Sequence, residues 1–216
     1  MATLAIVGAG PNLGLAAARR FGAEGFDVGL VSRNIHHLQA LAETLNAEGI
    51  TTTTEPADLR NLSEATVALA HLADTLGPVD VLLYSPLASV DWIKPVAETS
   101  SADMGAALEL SVLGAIDAVE AVLPSMRERG KGTLLFTTGG AAVAPNAERA
   151  SSAVSNAAEV AYARLLYDSL AGAGIHVAHT AIVGGLGHNL KHDPADIAEL
   201  LWRQHVERKG FQHVVD

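Results

Sequence analysis

The chain has 216 residues, enough for one substantial core and short for two, so residues 1–216 are expected to form one domain. Hydrophobic residues make up 49% and charged residues 18%, which excludes a disordered chain; a formal net charge of −10 argues against a nucleic-acid partner. The absence of Cys excludes disulfides, a thiolate nucleophile and a Cys-ligated zinc, and no apolar run reaches the roughly 18 residues of a membrane span.

The chain opens without a basic leader and runs at once into an apolar strand over Thr3–Val7, so a signal peptide is not expected and a cytoplasmic location is. The loop "VGAGPNLG" follows, with Gly8, Gly10 and Gly14, and it opens a helix. Glycines there let the backbone turn sharply and let a diphosphate approach the free N–H groups of a helix start. A second strand over Asp27–Val31 ends in "VSRN", and Leu38, Leu41 and Leu45 mark a helix. A third strand over Ile50–Thr54 leads to "PADLRN", then to a helical stripe of Leu62, Ala65, Leu69, Leu72 and Leu76. Val79–Tyr84 is a fourth strand, running into "LLYSPLA". Leu108, Val112, Ile116, Val119, Leu123 and Met126 line one long helix before a fifth strand, Thr133–Thr137. An Ala-rich helix is expected over Ala147–Ala171 and a sixth strand over Ile175–Ile182. A glycine-rich loop, "GGLGHNLKHDP", precedes a helix over Pro194–Arg208 with Asp193 as N-cap, and Phe211–Val215 closes the chain as a strand.

Strand–helix alternation of this kind implies parallel strands joined by right-handed crossovers: an α/β, doubly wound parallel sheet of about seven strands with helices on both faces. Ligands in such a sheet bind beyond the carboxyl ends of the strands. The rim is therefore expected at Gly8–Gly14, Ser32–Asn34, Ala57–Leu59, Tyr84–Ala88, Thr137–Ala144 and Val183–His192.

The glycine loop in this context resembles that of the short-chain dehydrogenase/reductase superfamily, and the resemblance runs nearly end to end. The resemblance implies a Rossmann fold binding a nicotinamide dinucleotide. The family's Gly-x-x-x-Gly-x-Gly falls on Gly8, Asn12 and Gly14, with Asn12 in place of the middle glycine and Leu13 between. Asn tolerates positive φ better than other non-glycine residues, so the turn is expected to survive, with Gly10 adding room. Ser32 and Arg33 after the second strand imply NADP(H) in preference to NAD(H), since no acidic residue ends that strand to bond a free ribose. A solvated surface charge is the other reading of Arg33. Asp58, followed by Leu59, matches the Asp that meets the adenine amino group, and it equally suits a helix cap. Ser85 and Pro86 stand beside the cofactor in the fourth-strand signature, where the family carries Asn-Asn-Ala-Gly.

The catalytic positions depart from the family. Its Asn, Ser, Tyr and Lys fall on Ser111, Thr138, Ser151 and Ser155. A tuned phenol with an ammonium partner moves the proton that accompanies hydride transfer, and an aliphatic hydroxyl has no accessible anion at neutral pH. Thr138 keeps a hydroxyl that can polarise a carbonyl. Ser151 and Ser155 share one helix face, where close packing is the favoured reading over catalysis. Tyr84, at the end of a central strand, and His188, in the glycine-rich loop, are the alternative proton donors. Tyr84 also suits a core position. His188 and His192 have a chelating interval but no third ligand, so no metal is expected. His176 and His179 read as strand residues.

Three functions stay open: a nicotinamide-dependent oxidoreductase of a small carbonyl or alcohol with a non-standard site, the same scaffold used for non-redox cyclisation, isomerisation or elimination, and a non-catalytic cofactor-binding module. The first is preferred. Family members pair through their long helices, and the small apolar surface of "SSAVSNAAEVAYA" implies a homodimer or homotetramer.

Overall fold

A computed structural model describes the whole chain, Met1–Asp216. Seven strands form one parallel sheet: β1 (Ala2–Val7), β2 (Phe26–Ser32), β3 (Thr52–Pro56), β4 (Val79–Tyr84), β5 (Gly132–Gly139), β6 (Ile175–Ile182) and β7 (Gln212–Val215). Their order is β3-β2-β1-β4-β5-β6-β7, so the order reverses between β1 and β4. The central strands are buried on both faces, which is why they read as continuous apolar runs.

The helices are α1 (Leu13–Gly22), α2 (Ile35–Ala47), α3 (Glu64–Leu76), α4 (Ser101–Leu108), α5 (Gly114–Arg129), α6 (Ala150–Leu170) and α7 (Pro194–Glu207). On one face α1, α2 and α7 bury Leu13, Phe21, Leu38, Leu45, Ile197 and Leu201 against Leu4, Ile6 and Leu83. On the other, α3, α5 and α6 bury Leu69, Leu72, Val119, Met126 and Ala163 against Val7, Leu82, Tyr84 and Phe136. These two layers are the doubly wound arrangement the alternating pattern implies. No helix is long and apolar enough to cross a membrane.

Two details differ from the sequence expectation. Leu62 is 70% exposed, because the helix begins only at Glu64, after Ser63 at φ 73°. The long helix before β5 is interrupted: Glu109–Leu113 is a π-turn between α4 and α5. It ends at Gly114, where a Cβ would lie 2.5 Å from the Leu59 carbonyl oxygen and 2.6 Å from the Tyr84 hydroxyl. Only a glycine lets α5 approach that closely. As expected, Asp193 caps α7, its carboxylate accepting from the Ala195 N–H at 2.8 Å.

Candidate functional site

The switch between β1 and β4 opens a cavity of about 220 Å³. Gly8, Ala9, Gly10, Ser32, Arg33 and Pro86 line it, with Ala57, Leu59, Leu110 and others. Gly8 adopts φ +91°, and a Cβ there would lie 2.5 Å from Pro86 Cα, so the first loop and the β4 loop touch only because the residue is glycine. The N–H groups of Gly8 and Ala9 donate to the Val31 carbonyl at 2.9 and 3.0 Å. Those of Asn12, Leu13 and Gly14 have no partner in the chain, and they stand at the start of α1. Free amides at a helix N-terminus are an anion site.

Asn12 behaves differently from the expectation. Its φ is −91°, so the turn does not use the left-handed region. Its side-chain amide lies 3.6 Å from where a Gly187 Cβ would be, aimed at the loop after β6 and away from the cavity of Gly8 and Gly10. The side chain that replaces the middle glycine therefore does not line the cavity of Gly8 and Gly10.

Arg33 stands at the mouth of this cavity without an acidic side chain in ion-pair range, and His37 and Asn34 line the same wall. Sequence reasoning put Asn34 on the rim and missed His37; the cap geometry, with Asn34 Oδ1 accepting from the His36 and His37 N–H groups, places the first turn of α2 there. Asp58 binds the Arg60 guanidinium, with 2.8 Å between Oδ2 and Nη2. That bond, opposed by desolvation and helped by the Arg60 N–H, holds its carboxyl below the usual range. Asp58 thus orders its own loop, while Leu59 reaches the cavity. The Ser85 hydroxyl accepts from Thr137 at 2.6 Å and ties β4 to β5.

The catalytic candidates separate into two groups. Ser111 sits in the π-turn, and its hydroxyl is 3.4 Å from that of Ser155. Ser151 donates to the Trp92 carbonyl at 2.5 Å, and Ser151 and Ser155 are each 1% exposed. Thr138, at the end of β5, meets the Nε2 of His179 on β6 at 2.9 Å. These residues lie along β5, β6, α6 and the π-turn.

Tyr84 and His188 do not join them. Tyr84 is fully buried among α3, α5 and Phe136, and its hydroxyl donates to the Leu110 carbonyl. Burial, reinforced by Glu159 and Asp117, pushes its phenol well above the ordinary range. It is a core residue and no proton donor. His188 is exposed in a separate groove between α1 and α7, beside Arg19, Arg20 and Asp193. His192 Nε2 is held by the Val183 carbonyl at 2.9 Å, and no group of three His, Asp or Glu side chains is gathered as a metal site.

Comparisons with known proteins bear on the family and the fold. The profile of the family described as short chain dehydrogenase matches residues 2–187. A curated ketoacyl reductase, HetN of Nostoc sp., is 30% identical over 133 residues, 62% of this chain and 46% of its own. The aligned stretches span about half the length of the curated relatives. A crystal structure of a short-chain dehydrogenase from Rhodopseudomonas palustris superposes with a TM-score of 0.88 at 26% identity, over 100% of this chain and 98% of that one. An NADPH-bound short chain oxidoreductase of Pseudomonas aeruginosa, described as containing an atypical catalytic center, superposes with a TM-score of 0.89 at 16% identity, over 99% and 95%.

Proposed function

The chain belongs to the short-chain dehydrogenase family, and we propose that residues 1–216 act as one NADP(H)-binding domain that interconverts a small carbonyl and its alcohol at a non-standard site. The observation that carries this reading is the glycine corner. Three unpartnered amides stand at the start of α1, in the same loop as Gly8, Ala9 and Gly10, and those three residues line a cavity that also holds the unpaired Arg33 guanidinium. The first feature suits a diphosphate and the second a ribose 2′-phosphate, so NADP(H) is preferred to NAD(H). Ser32 and His37 add donors beside Arg33, and Leu59, Ala57 and Pro86 give the adenine an apolar slot. The bound cofactor would supply hydride transfer; the chain's part is to hold it and to manage a proton.

Thr138 is the residue for that proton. Among the four family positions it alone combines a hydroxyl with a titratable partner, His179. Ser111 and Ser155 contact each other, and Ser151 braces the Val90–Trp92 turn on α6. The substrate is a small molecule, and a net charge of −10 disfavours nucleic acid. The cytoplasm is the expected location.

One observation favours a different chemistry on the same scaffold. The candidate phenol, that of Tyr84, is sealed, and Ser151 and Ser155 stand where the family carries its Tyr and Lys, so these positions do not supply the usual acid. Thermal unfolding with added NADPH and NADH tests the reading. A ligand that binds only the folded state at 100 times its Kd adds about 2.7 kcal/mol, or roughly 5–10 °C for a chain of this size. A clear rise with NADPH and a smaller one with NADH is expected; no rise with either refutes it. Deuterium transfer from labelled NADPH into a carbonyl panel then separates redox chemistry from binding alone.

A further inference from the structure

His179 matches none of the four family catalytic positions, yet it makes the one side-chain hydrogen bond of Thr138. The strands dictate this contact. In the β5–β6 register Phe136 pairs with His179 and Thr138 with Ala181, so Thr138 and His179 stand on one face, one diagonal step apart. The imidazole is completely buried and stacks on Phe211 at 6.3 Å. Its second nitrogen, Nδ1, faces the side-chain amide nitrogen of Gln212 at 3.5 Å. Gln212 is an exposed residue of β7, the outer strand of the sheet. A chain of polar atoms therefore runs from solvent at the sheet edge, through both nitrogens of one ring, to a hydroxyl on the rim.

We propose that His179 is a positioning residue that fixes the direction of the Thr138 hydroxyl and refills its proton from the β7 edge. This rests on the oxidoreductase reading given above. The Gln212 amide donates to Nδ1, which leaves the ring proton on Nε2. Nε2–H then donates to Thr138 Oγ1, and the Thr138 hydrogen has no acceptor but a ligand oxygen. When negative charge develops on that oxygen, Thr138 gives it the proton and takes one from Nε2. The exposed Gln212 amide then swings aside, and a water admitted at the strand edge donates a proton to Nδ1 and leaves as hydroxide, which bulk solvent neutralises. Each O–H or N–H broken is matched by one formed, and the ring passes from one neutral tautomer to the other. Burial, which lowers the His179 pKa to about 4, keeps the ring neutral throughout the physiological range, as a two-sided relay requires. A free Thr hydroxyl lacks this supply; the missing Tyr and Lys are replaced by a residue entering from the neighbouring strand.

Ring-nitrogen NMR on the 15N-labelled protein without cofactor tests the proposal independently of activity. The His179 signals are assigned by their loss in His179→Gln and by their displacement in Thr138→Val. A protonated Nε2 and an unprotonated Nδ1 at neutral pH are expected. The opposite tautomer, or an imidazolium forming near pH 6.5, would overturn the proposal. Gln212→Leu, on an exposed edge and so harmless to folding, should mix the tautomers. In any carbonyl reduction found for the wild type it should lower kcat about 3- to 10-fold with KM unchanged, the loss of one hydrogen bond. An unchanged tautomer in that variant also overturns it. Failure of NADPH to raise the wild-type midpoint would sink the oxidoreductase reading and leave the tautomer result standing, so the two failures are distinct.

Discussion

Glu159 is the least comfortable residue in the chain. It lies on α6 two turns beyond Ser151, is 2% exposed, and its Oε1 has no hydrogen-bond partner. Burial alone pushes its carboxyl well above the ordinary value of 4.5. The sign of the consequence follows from proton counting. Above 4.5 the unfolded chain loses this proton while the folded chain keeps it, so stability falls as pH rises from there through the folded pKa. Glu159→Gln removes the titration and keeps the shape. Its melting temperature, relative to wild type, should therefore climb between pH 5 and pH 8. A difference that stays constant across that range would show that Glu159 is not held neutral. The same counting applies in reverse to His176 and His179, both lowered to about 4 by burial. Their contribution is lost as pH falls from 6.5 towards 4.

The π-turn between α4 and α5 shows why some of the architecture was legible in sequence and some was not. Val79–Tyr84 and Ile175–Ile182 were readable to the residue, because buried parallel strands are apolar throughout and their ends carry turn residues. The glycine corner was readable because its chemistry is local. The π-turn was hidden, since Leu108, Val112 and Ile116 keep helical spacing and one extra residue per turn barely disturbs it. The Thr138–His179 contact was hidden for a stronger reason: it depends on strand register, which no single strand encodes. Tyr84 kept two readings, proton donor and core residue, because a strand end does not reveal which face a ring takes; the structure gives the core. Gly114 marks the π-turn's end, and its replacement measures how tightly α5 is seated. Gly114→Ala would drive a methyl into the Leu59 carbonyl and the Tyr84 hydroxyl, neither of which can retreat. We expect a loss of about 1–3 kcal/mol in urea unfolding with an unchanged m-value. A loss within the error of the extrapolation would mean that α5 slides freely.

At the scale of the molecule, an isolated chain leaves one surface unexplained. Along α6, Val154, Ala158, Ala161 and Leu165 recur at helical spacing on the side away from the sheet. Val154 is 48% and Leu165 69% exposed, and Leu113, at the end of the π-turn, is 42% exposed. Two alanines between larger residues make a shallow, close-approach surface, and the same stripe on a second copy about a two-fold axis would cover it. The neighbouring face of α6 carries Ser151, Ser155 and Glu159, so pairing there would also stiffen the helix that backs the proposed site. We therefore expect a dimer, or a tetramer built from it, in sedimentation equilibrium. Ala161→Glu, which puts a charge at the centre of the stripe without touching the core, should shift the equilibrium to monomer and lower the melting temperature in a concentration-dependent way. A wild-type chain that sediments as a monomer at every concentration, with a midpoint indifferent to dilution, would show instead that α6 faces water.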